Sequence, residues 1–137
     1  MTSQPMIAKS APRRILVVDD NCDAANTLAR LLSLLGHHVD TARDGLEAVA
    51  RAETFRADVI LMDIGMPRLD GYQAARRIRE QAHLQPLKLV ALTGWSQEEH
   101  RRRSAESGFD AHLLKPVDVQ VLESLLAEWS ADGTPKS

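Results

Sequence analysis

Residues 59–63 read Val-Ile-Leu-Met-Asp: four apolar side chains run without a break into a carboxylate. A half-exposed strand would alternate, so an unbroken run of this kind fits a strand covered on both faces. Four more short runs, β-branched or Leu-rich, lie at 15–18, 39–42, 87–92 and 111–114, the last three interrupted by Asp40 and Thr41, by Lys88 and by His112, and longer helical patterns separate them. In the first of these, Ala25, Leu28, Ala29 and Leu32 recur at the spacing of one helix face. Leu35 extends the stripe, Gly36 supplies a stop, and Asn21 or Asp23 can cap the start. Leu46, Val49 and Ala50 mark a second helix after the Asp44-Gly45 turn, and Ala74, Ala75 and Ile78 a third after Gly71. A nearly all-polar fourth spans about 97–107. Val119, Leu122, Leu126 and Trp129 give the fifth a buried stripe that Val121 and Leu125 widen. Strand and helix alternating five times predict an α/β fold, a doubly wound five-stranded parallel sheet with helices on both faces, because parallel neighbours need crossover connections.

Composition agrees. A chain of 137 residues, 44% hydrophobic, suits one core rather than two, and with only 4% aromatics that core must be filled by Leu, Val, Ile and Ala. The expected boundaries are a flexible lead-in over 1–13, one domain over 14–130 and a flexible tail over 131–137. A net charge of −2 offers no positive field for a polyanion, so direct nucleic-acid binding is not expected. Cys22 is the single cysteine; it cannot form an internal disulfide, and with five scattered histidines it makes no familiar zinc site. It reads as an inert, partly buried thiol. No apolar run approaches the length of a membrane span, and residues 1–14 lack the apolar core of a secretory signal. These features predict a cytoplasmic protein without membrane insertion. Arg76, Arg77 and Arg79, and the run Arg101 to Arg103, read first as solvated faces.

In such a sheet ligands bind beyond the carboxyl ends of the strands. Four of the five runs end in capable chemistry: Asp19-Asp20, Asp63, Thr93 and Lys115, whereas the second ends in Arg43. Gathered on one edge, three carboxylates repel one another unless a cation joins them. Hard oxygen ligands favour Mg2+, with Mn2+ as a substitute, over zinc. A phosphoryl group completes the set, since the metal, the Lys115 ammonium and the Thr93 hydroxyl can share its oxygens while an Asp carboxylate attacks phosphorus.

The segments ILVVDD, VILMDIGMPRLDG, LVALTG and LLKP together resemble the receiver domain of bacterial two-component response regulators, over about residues 14–130. The resemblance implies a flavodoxin-like receiver fold with strand order 2-1-3-4-5. It implies Asp63 as phosphoacceptor and Asp19, Asp20, Asp63 and the Gly65 carbonyl as magnesium ligands. Thr93 becomes the switch hydroxyl, Lys115 the phosphate-binding cation, and Lys115-Pro116 a candidate cis peptide. Met66-Pro67 and Gly71 match the family's loop and helix start, and Trp95 is placed over the pocket, controlling access. His112 stands where the family more often has Tyr or Phe as a rotamer switch. An imidazole there is polar and titratable, so its inward state needs a partner or a neutral ring. The partners implied are a sensor histidine kinase or a histidine phosphotransfer protein as donor, and a downstream protein read on the face of the fourth helix, fifth strand and fifth helix. The segment 92–118 also resembles receivers attached to hybrid sensor kinases.

Singly, each residue has a plainer role: Asp19 or Asp63 as helix caps, Thr93 in a turn, Lys115 as a surface charge. Their joint placement at four strand ends favours the site. The expectation is therefore a signalling module rather than a turnover enzyme, one whose phosphoryl transfer and slow dephosphorylation are its own. An aspartate-nucleophile phosphatase would usually carry a second acid two residues after the nucleophile, where this chain has Gly65. A receiver-like domain that no longer uses phosphate would have lost pocket residues, and none is missing.

Overall fold

The structure, a computed structural model, describes residues 12–64, 71–81, 87–93, 109–115 and 117–133. Five strands, β1 (Arg14–Val18), β2 (His38–Ala42), β3 (Val59–Asp63), β4 (Lys88–Thr93) and β5 (Ala111–Leu114), form one parallel sheet in the order β2-β1-β3-β4-β5. The helices among the described residues are α1 (Cys22–Leu34), α2 (Gly45–Thr54), α3 (Gly71–Gln81) and α4 (Val119–Gly133). Thus α4 is the fifth helix of the sequence pattern, and the expected fourth, over 97–107, lies outside the described residues.

Side chains alternate along each strand, so the unbroken apolar runs feed two cores at once. Leu16, Val18, Ile60, Met62, Leu89 and Ala91 pack beneath Ala48 and Ala52 of α2 and Ala74, Ala75 and Ile78 of α3. Ile15, Val17, Val59, Leu61, Val90 and Leu92 face Ala25, Leu28 and Leu32 of α1 and Leu122 and Leu126 of α4. The register, in which Ile15 lies beside both Val39 and Val59 and Val59 beside Lys88, sets the carboxyl ends of the strands along one edge.

Local chemistry fixes where the helices start and stop. The Asn21 side chain accepts from the Ala24 N–H at 3.1 Å, and Asp44 caps α2 by accepting from the Glu47 N–H at 2.9 Å. Glu47 answers by accepting from the Arg43 N–H at 2.7 Å. After α1 the chain reverses through Gly36, whose φ of 100° is open to glycine and strained for other residues, and the His37 N–H returns to the Leu32 carbonyl.

Four expectations need correction. Val121 does not widen the α4 stripe; it is 49% exposed. At about 100° per residue, Val121 and Glu123 flank Leu122 on opposite sides, and the helix is rolled so that the Glu123 flank turns inward, where His37 covers it. The last helix runs to Gly133, three residues into the expected tail, because nothing in Ser130-Ala131-Asp132 breaks it before that glycine and Pro135. The lead-in ends before Arg13, whose carbonyl accepts from the His38 N–H at 2.9 Å and whose guanidinium donates to the Leu126 carbonyl at 2.9 Å. Cys22 opens α1 and is exposed, since the first turn sits above the sheet edge.

Candidate phosphoacceptor site

Parallel pairing brings the four chemical strand ends together. Asp63 and Thr93 are the last residues of β3 and β4, and Asp19 and Lys115 follow β1 and β5 directly. Backbone bonds lock these ends: Asp19 N–H to Ala42 O at 3.1 Å, Ile64 N–H to Leu92 O at 3.2 Å, and Lys115 N–H to Thr93 O at 2.8 Å. The residues in front of Asp19, Asp63 and Thr93 are buried runs, which set these side chains on rigid supports, whereas Lys115 follows the half-buried edge strand β5.

The Lys115 ammonium bridges two carboxylates, 3.2 Å from Asp19 Oδ2 and 3.3 Å from Asp63 Oδ2. Burial lowers the pKa of this lysine, but the charge of Asp63 and the hydrogen bond and charge of Asp19 outweigh it, leaving the ammonium above its usual value of 10.5. Asp19, buried, also accepts from the Asn21 N–H at 3.0 Å through Oδ1, so each of its oxygens is held by a donor. That contact comes from the residue that caps α1. Sequence reading finds Asn21 as a cap; its backbone role at the site follows only from the turn it makes.

Asp19, Asp20 and Asp63 each offer an oxygen within 4.8 Å of the others, graded from buried through half-buried Asp63 to exposed Asp20. Three hard oxygens this close, one of them open to water, suit a small divalent cation that keeps part of its hydration. Thr93 is 3% exposed. His112 is half-buried; it pairs in register with Ala91, two residues before Thr93, so the imidazole and the hydroxyl lie on the same face of the sheet. Leu114, two residues further along that face, is 49% exposed. Beside the carboxylates a groove of about 650 Å³ runs along α1, lined by Asp19, Thr27, Leu28, Leu31, Lys115 and Val117.

Gly65, Met66, Pro67, Trp95, Arg101 to Arg103 and Pro116 lie outside the described residues. Of the arginines read as solvated, Arg79 instead bridges Asp110 and donates to the Leu87 carbonyl at 2.8 Å, tying α3 to the starts of β4 and β5. Arg76 and Arg77 are exposed.

A family model described as the response regulator receiver domain matches residues 15–127. The sensor histidine kinase RcsC of Salmonella typhimurium is 38% identical over 116 residues, covering 85% of this chain. The chain spans only 12% of that kinase's length. Among solved structures, the receiver domain of the sensor histidine kinase PA1611 from Pseudomonas aeruginosa PAO1 holds a magnesium ion in its active-site cleft. It superposes with a TM-score of 0.78 at 36% identity, over 88% of this chain and 99% of that one. The receiver domain of Ssk1 from Saccharomyces cerevisiae, crystallised with the histidine phosphotransfer protein Ypd1, gives a TM-score of 0.82 at 27% identity, over 89% and 91% of the two chains. Matched by the family model over most of its length and sharing the parallel five-stranded fold of solved receiver domains, the chain belongs to the response regulator receiver domain family.

Proposed function

We propose that the chain accepts a phosphoryl group from a phosphohistidine donor onto Asp63 and that the acyl phosphate alters its affinity for a downstream protein. The observation that carries this reading is the bridging of Asp19 and Asp63 by Lys115 at the ends of three strands, beside the hydroxyl of a fourth. An Asp63 oxygen attacks phosphorus, the bond from phosphorus to the donor imidazole nitrogen breaks, and the nitrogen leaves with its electron pair. Lys115 exchanges a carboxylate for a phosphoryl oxygen and neutralises charge there; the Thr93 hydroxyl donates to another. Asp19, Asp20, Asp63 and the Gly65 carbonyl would hold Mg2+, or Mn2+, whose role is to neutralise charge on the transferred group.

The donor is a sensor histidine kinase or a phosphotransfer protein, in keeping with the kinase and phosphotransfer contexts of the relatives above. The groove along α1 is walled at one end by Asp19 and by Lys115, whose ammonium also reaches Asp63, and leaves room for a donor group beside them. For the readout we assign the surface of β5, α4 and the segment 97–107 with Arg101 to Arg103, with Thr93 and His112 as its switch and Trp95 setting access of water. Incubation with a small phosphodonor and magnesium should place an acid-stable, hydroxylamine-labile phosphate on the wild type and none on Asp63→Asn, whose fold should be intact. A labile phosphate at wild-type level on that variant would defeat the assignment.

A further inference from the structure

Among the described residues the buried polar or charged ones are Asp19, Thr93, His37 and Glu123. The first two belong to the site at the carboxyl ends of the strands. The other two meet at the opposite end, where the chain leads into β1 and β2. The His37 side chain is 1% exposed and its Nε2 lies 2.8 Å from Glu123 Oε2. Its other nitrogen, Nδ1, accepts from the Arg13 N–H at 3.0 Å. A backbone N–H can only donate, so Nδ1 carries a lone pair and the ring proton sits on Nε2, donated to Glu123. These bonds therefore select the neutral imidazole in one tautomer.

We propose that His37 is an acid-operated latch between the chain leading into β1 and the final helix. In its neutral form it holds the Arg13 amide on one side and α4 on the other. A proton taken from solvent at Nδ1 sets two donors face to face, and the Arg13 amide is the contact that gives way. The Nε2 bond to Glu123 is kept, because it becomes a charge-assisted pair. From the chain before β1, the charged group at the joint is Arg13, whose guanidinium is engaged by the Leu126 carbonyl. From α4 it is Glu123, and from the α1–β2 turn His37 alone, the adjacent His38 being exposed. Release is local. The Arg13 carbonyl keeps its bond from the His38 N–H and the guanidinium keeps Leu126, so only the Arg13 amide is freed.

Nitrogen-correlated NMR of the full chain tests this directly. Near neutral pH the His37 ring should show the pattern of the Nε2–H tautomer. On acidification the protection of the Arg13 amide, referred to the intrinsic exchange rate at each pH, should fall about tenfold in step with ring protonation, the loss of one hydrogen bond, while the His38 amide and the β1 amides stay protected. His37→Gln should abolish that step. An Nδ1–H tautomer at neutral pH, ring protonation with Arg13 protection unchanged, or the same step surviving in His37→Gln would overturn the latch.

Discussion

Replacing Lys115 by methionine keeps the apolar stem of the side chain and deletes the ammonium that lies 3.2 Å from Asp19 and 3.3 Å from Asp63. At an effective dielectric constant of about 20, each contact carries roughly 5 kcal/mol of Coulomb attraction, most of it offset by the dehydration of the charges. The lysine side chain is 33% exposed, whereas those of Asp19 and Asp63 are 5% and 15% exposed. The cost of the substitution therefore falls between that of an exposed pair, at most about 1 kcal/mol, and that of a broken buried pair, about 3–5 kcal/mol. We expect a loss of about 2 kcal/mol in the metal-free protein, because Asp19, Asp20 and Asp63 are left facing one another with no cation between them. Urea unfolding of wild type and Lys115→Met in chelator at neutral pH measures the gap. Magnesium should narrow it, since a ligand that binds only the folded state stabilises by mass action and here also replaces the missing charge. The pH dependence has a fixed sign. A lysine whose pKa is raised by folding contributes its stability in full below the unfolded value of 10.5 and loses it as pH climbs through the folded one, so the two proteins should converge in strong alkali. Coincident unfolding midpoints in chelator at neutral pH, with equal slopes, would refute the reasoning.

Asp20→Asn removes the most exposed of the three carboxylates and should raise the metal-free midpoint slightly while weakening magnesium binding at least tenfold; titration calorimetry and thermal unfolding in chelator report the two effects. Asn21→Ala deletes the α1 cap and should cost about 1 kcal/mol, yet phosphoryl acceptance should persist because it is the backbone N–H of this residue, not its side chain, that binds Asp19. A variant that unfolds at the wild-type midpoint, or that folds but no longer takes phosphate, would contradict this. Leu126→Ala empties a fully buried position between α4 and the sheet and should cost about 2–5 kcal/mol by urea unfolding, with the unfolding slope retained.

The strand ends were legible for a topological reason. A strand covered on both faces shows its end as the place where apolar residues stop, and parallel pairing then forces every such end to one edge, so Asp19, Asp63, Thr93 and Lys115 could be brought together without a single contact being known. The rolling of α4 was not legible, because Val121 and Glu123 stand symmetrically about Leu122 and hydrophobicity alone turns the helix toward the valine. What turns it the other way is a histidine 86 positions earlier in the chain, and local periodicity carries no trace of a partner at that distance. Arg13 and Arg14 make the same point. As neighbours in extended chain they point to opposite faces, and each ties a different layer. Arg13 reaches the Leu126 carbonyl of α4, 113 positions away, and Arg14 reaches the Phe55 carbonyl at the end of α2, 41 positions away, with its guanidinium 4.4 Å from the Phe55 ring centre. Read as a string, the pair looks like charge trailing into solvent. In the fold, a cation near the end of α2 meets carbonyls that the helix leaves without an internal partner, which is why an arginine can be spent there. Polar residues at strand ends are thus placed by topology and can be read from pattern, whereas polar residues that join layers are placed by groups tens of positions away, and only the packed chain reveals which charges are structural.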